Sequence, residues 1–472
     1  MRIYTGPLTS KIETDNPKLL SALVNLFEVP IPGARYSPAA RRGFCASKRK
    51  FISDEGEFRT GLLGRVLETL KKIDCYPEIK HEVMPTIWDT KSPTIDGWTM
   101  HDYQVEAVKK VLVLKRGVLK APTGSGKTLI LASLLKSFEG KKVLCLFNQK
   151  QLIHQTYKYL TAKAPDGVAL PTQGKFKVGV CFSEGYEYAD IMLCSVFSIE
   201  RLIGTPMERP DVLIVDECHE FCKGKFTSEV ISSFPTATYR IGLTATVPSD
   251  KYRLYNLEGA LGPEISTVTT EELIEEGKLA KPLIQFIPME PKFVNTKKMG
   301  YPEVYEKYII KNNARNNVIK SIVESIYKNN TKAKVLILVK NLEHGETIKN
   351  LIPDSEYLQG SDDLSARDKT IKSFRTGDDN MTLIGTKILQ TGANIPEITH
   401  LINARGLESE ISTIQALGRA LRITPEVTDV KIYDFIDSVR FLDRHSAKRL
   451  RTYKKEGHET KILPAVQYDN PR

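Results

Sequence analysis

Apolar positions along the chain fall into two kinds of pattern. Short aliphatic or β-branched runs, Val118–Leu119, Val143–Phe147, Asp190–Ser195, Val212–Val215 and Tyr239–Leu243, alternate with longer stretches of helical spacing between Trp98 and Ile274. Continuous apolar runs of this length belong to strands covered on both faces. Their alternation with helices predicts βαβ units on a parallel sheet. The pattern pauses at Gly277–Pro282, which reads as a hinge, and returns with Val335–Val339, Met381–Gly385, His400–Ile402 and Lys431–Phe435. Two α/β domains in tandem fit this better than one sheet of such length. Upstream, Pro17–Phe27 and Gly61–Ile73 have helical spacing and flank GARYSPAARRGFCASKRKF, rich in Arg, Lys and aromatics. The proline-punctuated YPEIKHEVMPTIWDTKSPTIDG reads as a linker. The expected division is a small α+β accessory domain (1–95), two parallel-sheet domains (96–276 and 277–440) and a basic C-terminal extension (441–472).

Composition narrows the classes. The chain has 472 residues, 41% hydrophobic and 26% charged, enough for several packed cores and too apolar for wholesale disorder. No apolar run reaches the ~20 residues of a membrane span, and MRIYTGPLTSKIETDN lacks the apolar core of a secretory signal. The seven cysteines are odd in number and scattered, which argues for a reducing, cytoplasmic setting (a host cytoplasm if the chain is phage-encoded) rather than a disulfide framework. The net charge of +11 favours a polyanionic partner, though charge alone does not separate nucleic acid from an anionic surface.

One segment carries explicit chemistry. Ala121-Pro-Thr-Gly-Ser-Gly-Lys127-Thr128 follows a predicted strand and precedes the helical run TLILASLLKSF, the placement a phosphate-binding loop requires. Thr123, Gly124, Ser125 and Gly126 would turn backbone N–H groups toward phosphate oxygens at a helix N-terminus. Lys127 would neutralise the β- and γ-phosphates of ATP, and the Thr128 hydroxyl would hold Mg²⁺. Ala121 stands where the general pattern has its first glycine. The partner is VLIVDECH: a buried strand ending in Asp216, for the metal, and Glu217, for the attacking water. A Gly/Ser turn before a core helix and a solvated acidic strand end are the plain alternatives. Cys218, His219 and Cys222 crowd one short segment without a second ligand pair, which weighs against a zinc knuckle.

Further stretches fall in the order of the superfamily 2 helicases and translocases, which the chain resembles from about Trp98 to Phe441. His101-Asp-Tyr-Gln104 resembles the glutamine motif, which implies that Gln104 reads adenine. Leu243-Thr244-Ala245-Thr246 resembles the motif coupling hydrolysis to strand binding. Leu383-Ile-Gly-Thr386 through Thr391-Gly392-Ala393-Asn394-Ile395-Pro396 resembles the fifth motif, with Gly392 and Asn394 at nucleotide-binding positions, although relatives more often carry Asp where Asn394 stands. Gln415-Ala-Leu-Gly418-Arg419-Ala-Leu-Arg422 matches the sixth. The resemblance implies two RecA-like domains, with Lys127, Asp216 and Glu217 on the first. Gln415, Arg419 and Arg422 on the second would bring guanidinium charge to the transferring phosphoryl group. It also implies that Ser195, Thr244, Thr246, Thr386 and Thr391 meet nucleic-acid phosphates, although a local cap or turn is an equal prospect for any one hydroxyl. Lys340 and Asn341 stand where many relatives have Ser or Thr in the fourth motif, and no role is assigned to them.

The N-terminal cluster Arg41, Arg42, Lys48, Arg49 and Lys50, interleaved with aromatics, suits a phosphate backbone, or is a solvated basic hairpin. PGARYSPAARRGF also resembles the accessory region of phage UvsW-type helicases, which implies action on branched DNA such as forks or Holliday junctions in recombination, repair or replication. The basic stretch from Arg440 to Lys461 is open between a backbone-binding and a solvated helix. Asp429-Val-Lys431 resembles a nuclease fragment, but no further domain is available to house one. The expectation is a DNA-dependent ATPase and helicase, working as a monomer on branched, duplex or single-stranded DNA without a membrane. A DExH-type RNA helicase, the motor subunit of a restriction system and a non-catalytic nucleotide-dependent clamp are the alternatives.

Overall fold

The computed structural model describes residues 1–34, 42, 46–81, 94–95, 99–122, 124–161, 177–183, 185–222, 230, 234–266, 268–359, 362, 364–386, 398–407 and 429–469. The chain divides into two compact units, Met1–Pro122 with Gly126–Val268, and Thr123–Ser125 with Thr269–Arg472. No helix among the described residues is long and apolar enough to cross a membrane.

The first unit begins with a four-stranded sheet of order β5-β2-β1-β6. It is built from β1 (Arg2–Thr5), β2 (Thr9–Glu13), β5 (Glu57–Arg59) and β6 (Glu78–His81). Alternation sets its faces: Ile3 and Ile12 turn inward while Arg2, Lys11 and Glu13 turn out. Helices α1 (Pro17–Leu26) and α2 (Leu63–Lys71) bring Leu23, Val24, Val66 and Leu70 to the same core. Asn16 starts α1 by accepting from the Leu19 N–H at 3.1 Å, with Pro17 in the first turn. Strands β3 (Glu28–Pro30) and β4 (Lys48–Lys50) form a separate hairpin. The expected linker is corrected at its start: Glu78–His81 is a strand paired in parallel with β1.

The second sheet of this unit has the order β10-β9-β11-β8-β12-β13-β7-β14. Its strands are β7 (Arg116–Lys120), β8 (Val143–Phe147), β9 (Val178–Phe182), β10 (Gly185–Glu187), β11 (Ile191–Ser195), β12 (Val212–Asp216), β13 (Tyr239–Thr244) and β14 (Glu264–Ser266). All neighbours are parallel except β9 and β10. The helices α3 (Asp102–Leu114), α4 (Lys127–Ser137), α5 (Lys150–Leu160) and α6 (Lys251–Leu261) belong to this part. Every residue of VLCLF in β8 is buried, as a strand covered on both faces requires.

The N-terminal part packs on α6. Both Arg65 nitrogens Nε and Nη2 grip the Glu258 carboxylate, the second at 2.6 Å, and the Glu258 side chain is 4% exposed. Arg49 Nη1 donates to Asn256 Oδ1 at 2.9 Å, and the Phe51 ring meets Tyr255 edge-on. Gly61 lies so close to α6 that a Cβ there would fall 2.0 Å from the Glu258 carbonyl oxygen. Only glycine allows this approach of backbone to backbone.

The second unit has a parallel sheet of order β17-β18-β16-β19-β20-β15-β21, with β22 also on β15. Its elements, in chain order, are α7 (Thr270–Glu275), β15 (Lys281–Pro291), α8 (Tyr301–Tyr305), α9 (Asn313–Asn329), β16 (Lys334–Leu338), α10 (Leu342–Leu351), β17 (Glu356–Leu358), α11 (Leu364–Thr376), β18 (Met381–Gly385), β19 (His400–Asn403), β20 (Asp429–Asp437), α12 (Leu442–Lys455), β21 (Thr460–Ile462) and β22 (Val466–Tyr468). The stretch after 441, expected as an extension, is part of this fold: β21 and β22 pair with β15, and α12 buries Leu442, Ser446, Arg449, Thr452 and Tyr453. Its basic residues therefore divide between a buried face and an exposed one. The two parallel-sheet units are RecA-like in their architecture, each with a parallel sheet carrying its helices.

Candidate active site

In the first unit, strands β7, β12 and β13 are neighbours and bring their carboxyl ends together, where open α/β sheets bind ligands. The loop after β7 turns through Gly124 (φ 90°) and Gly126 (φ 77°), both in the left-handed region that favours glycine. Helix α4 begins at Lys127, so the lysine and the exposed Thr128 hydroxyl stand at its N-terminus. Gln104 is 3% exposed and abuts this loop; a Cβ on Gly126 would fall 2.5 Å from Gln104 Nε2. Its side-chain oxygen accepts from the His101 N–H at 3.0 Å, which fixes the amide orientation.

The centre is a chain of polar side chains that sequence reasoning did not foresee. Lys127 Nζ donates to Glu217 Oε1 at 2.8 Å. Glu217 sits just past β12 with φ 46°, a left-handed conformation costing roughly 1 kcal/mol or more, which the surrounding contacts sustain. His219 Nδ1 lies 3.3 Å from Glu217 Oε2 and 2.8 Å from Thr244 Oγ1, while its Nε2 lies 3.3 Å from Glu220 Oε1. Thr244 donates its one hydroxyl proton to the Thr246 carbonyl at 2.9 Å and accepts from the Thr246 N–H at 3.1 Å. It must therefore accept from His219, so Nδ1 carries a proton.

The charges agree with that assignment. Burial opposes a charge on His219, but the carboxylates of Glu217 and Glu220 beside its two ring nitrogens outweigh it and hold the imidazole above its ordinary range. Burial likewise opposes the charge on Glu217, yet Lys127 and His219 hold its carboxyl well below the usual carboxylate range. Asp216 goes the other way: burial first, and the neighbouring Glu217 charge second, push it up to about 6. Two adjacent acids with opposed shifts are a mark of functional chemistry. Asp216 at the carboxyl end of β12 and Thr128 in the first turn of α4 are hard oxygen donors of the kind Mg²⁺ uses alongside phosphates and water. Among the described residues, no group of three or more His, Cys, Asp or Glu side chains is placed to hold a metal ion through protein ligands alone.

Other candidates are placed differently. Ser195 (3% exposed) and Thr386 (8%) lie at the ends of β11 and β18, one in each unit. Thr246 is buried, and its hydroxyl has no hydrogen-bond partner. Thr244 is corrected from strand contact to internal link, because it is fully buried and all of its hydroxyl capacity is used. In the N-terminal hairpin Lys48 pairs with Glu28 at 2.8 Å and Lys50 with Asp54 at 2.7 Å, both exposed; Arg49 faces α6 instead. Arg42 is exposed. Arg41, Thr123, Thr391, Gly392, Asn394, Gln415, Arg419 and Arg422 lie outside the described residues.

Comparison with known proteins accords with this arrangement. Residues 98–249 match the family model for the type III restriction enzyme, res subunit, and residues 315–424 match the helicase conserved C-terminal domain. The chain is 26% identical over 469 residues to the ATP-dependent DNA helicase uvsW of Enterobacteria phage T4, covering 93% of this chain and 90% of that one. It is 22% identical over 376 residues to the DNA 3'-5' helicase XPB of Mycobacterium tuberculosis, covering 77% of this chain and 65% of the relative. In fold it is similar to the DUF1998 helicase MrfA bound to DNA (TM-score 0.57, 16% identity, 77% of this chain, 50% of that one). It is also similar to Dbp5 of S. cerevisiae bound to RNA and ADP BeF3 (TM-score 0.52, 15% identity, 78% of this chain, 94% of that one). The chain belongs to the superfamily 2 helicases and is an ATP-hydrolysing member, similar along most of its length to the phage uvsW enzyme.

Proposed function

We propose that this helicase uses Mg²⁺ and ATP to move on DNA and to remodel branched DNA, by fork or Holliday-junction migration, unwinding or reannealing. The observation that carries the motor reading is the Lys127–Glu217–His219–Thr244 chain, which joins the phosphate loop to the end of β13. Mg²⁺, held by Asp216 and Thr128, would neutralise phosphate oxygens. Lys127 is now paired with Glu217, and a triphosphate on the loop would compete for the same ammonium. As Lys127 turns to phosphate, Glu217 loses the charge that most favours its ionised form, its basicity rises, and it becomes fit to take a proton from water. His219, still bound to Thr244, would carry that change toward the strand-facing edge. Guanidinium charge from Arg419 and Arg422 would complete the reaction.

Likeness to the phage uvsW helicase over most of both chains supports DNA as the track, as does the basic hairpin fixed to the motor unit. The test is phosphate release in the presence of forked, four-way, single-stranded or duplex DNA, or of RNA. Branched DNA should stimulate most, and a strong RNA preference would overturn the DNA reading in favour of an RNA helicase. Lys127→Ala and Glu217→Gln should each lower turnover by about 10³-fold. Unchanged turnover in both would remove the active site assigned here.

A further inference from the structure

The segment leaving β19 is gripped in an unusual way. Its successive carbonyl groups, from Ala404 to Leu407, each accept from a different side chain. Arg315 Nη1 of α9 donates to the Ala404 carbonyl at 3.0 Å, and the Tyr305 hydroxyl of α8 to the Arg405 carbonyl at 2.6 Å. His445 Nδ1 of α12 lies 3.3 Å from the Gly406 carbonyl, and Arg449 Nη1 of α12 donates to the Leu407 carbonyl at 2.9 Å. The same side chains anchor β20. Arg315 Nε donates to Asp437 Oδ1 at 3.1 Å, with its guanidinium 4.1 Å from the centre of the Phe435 ring. Arg449 donates from Nε to Asp434 at 3.1 Å and from Nη2 to the Phe435 carbonyl at 2.7 Å, and Tyr453 reaches Asp434 at 3.2 Å. Arg315, Arg405, Arg449, Asp434 and Asp437 are all nearly or wholly buried.

Buried arginine–carboxylate pairs are an expensive way to hold a fold together, since apolar side chains of like volume commonly do as well or better. What they add is fixed geometry, and here it is concentrated on one short stretch of backbone. That stretch leads directly into residues 408–428, with Arg419 twelve residues beyond Leu407, and β20 receives the chain on the far side. We infer that Tyr305, Arg315, His445 and Arg449 are positioning residues: by fixing the carbonyls of Ala404–Leu407 and the end of β20, they set where the segment bearing Arg419 and Arg422 is presented for hydrolysis. This rests on the proposed role of those two arginines and adds four residues outside every motif, two of them on a helix the sequence marks only as basic.

The experiment compares Tyr305→Phe, Arg449→Lys and Arg419→Ala, singly and with Tyr305→Phe combined with Arg419→Ala. DNA-stimulated kcat, KM for ATP, DNA affinity and the thermal unfolding midpoint are read for each. Tyr305→Phe keeps the ring and removes one donor, so kcat should fall about tenfold, as small misplacements of reacting groups do, with KM and DNA affinity within about twofold. Arg449→Lys keeps the charge but cannot span Asp434 and two carbonyls, and should lose more. In the Arg419→Ala background, Tyr305→Phe should lower kcat by much less than tenfold, because a positioning residue acts only through what it positions and Arg422 alone remains there. A lowered midpoint with unchanged kcat per folded molecule would reduce the cluster to a brace and overturn the inference. Should Arg449→Lys fail to fold, Tyr305→Phe alone still decides. Full activity in Arg419→Ala would sink the arginine role itself, whereas loss there with full activity in Tyr305→Phe would sink the positioning role alone.

Discussion

Replacing Thr244 by valine keeps the shape of the side chain and deletes one hydroxyl. That hydroxyl takes part in three hydrogen bonds: with His219 Nδ1 at 2.8 Å, the Thr246 N–H at 3.1 Å and the Thr246 carbonyl at 2.9 Å. Thr244 is fully buried, so water does not replace them. A net worth of ~1 kcal/mol per bond, with part of the desolvation penalty of the stranded groups, gives a loss of about 2–4 kcal/mol. His219 keeps Glu217 and Glu220, so Lys127 and Glu217 stay in place and basal hydrolysis should change by less than about twofold. What is cut is the link from the phosphate loop to the end of β13, and stimulation by DNA should fall about tenfold. The assay is phosphate release with and without DNA on Thr244→Val, beside chemical denaturation. Thr244→Ser, which keeps the hydroxyl, should restore stimulation. A stimulation factor equal to that of the parent, or a destabilisation below about 1 kcal/mol, would refute the reasoning.

Two further outcomes follow from burial. Arg65→Met leaves the Glu258 carboxylate, 4% exposed, without its partner and should cost about 3 kcal/mol, whereas Glu258→Gln leaves an Arg65 that is 37% exposed and can reach water, and should cost about 1 kcal/mol. Equal losses in denaturation would contradict the assigned asymmetry. Burial also lowers His344 to about 3 and His400 and His458 to about 4, all in the second unit. Their unfolded forms take up protons from about pH 6.5 downward while the folded forms do not, so stability is full above that pH and falls as the solution is acidified. From pH 8 to pH 5 each should forfeit roughly 2 kcal/mol, and a denaturation midpoint for residues 269–472 that does not move over that range would refute the burial argument.

The sheets of both motor units were legible because their strands are covered on both faces: VLCLF of β8 and VLIV of β12 are unbroken apolar runs of strand length, rich in branched side chains. β15 was not legible. Lys281–Pro291 carries Pro282, Pro288 and Pro291, which argue against a strand, yet it lies between β20 and β21 in parallel register. The short N-terminal strands, three to five residues each, fall below the length at which alternation is persuasive. In the site, Lys127, Asp216 and Glu217 followed from their spacing. The His219–Thr244 bond did not, since it joins residues 25 apart across neighbouring strand ends. Arg315 and Arg449 are more opaque still, because arginine on a helix is mostly solvated and only the packed fold turns these two inward.

The close approach of Gly61 to α6 has a mechanical consequence. At Gly61 backbone meets backbone, and beside it Arg65–Glu258, Arg49–Asn256 and Phe51–Tyr255 pin the same face of α6, so the basic hairpin is a handle welded to the motor rather than a tethered hand. Any stroke of the first unit is delivered to that handle undiminished. Trimming the chain at residue 95 would strip α6 to water, with Tyr252, Tyr255 and a lone carboxylate laid bare. Lost activity in such a fragment would then report a wounded motor, and the hairpin's own contribution is better read from single charge reversals on its exposed edge.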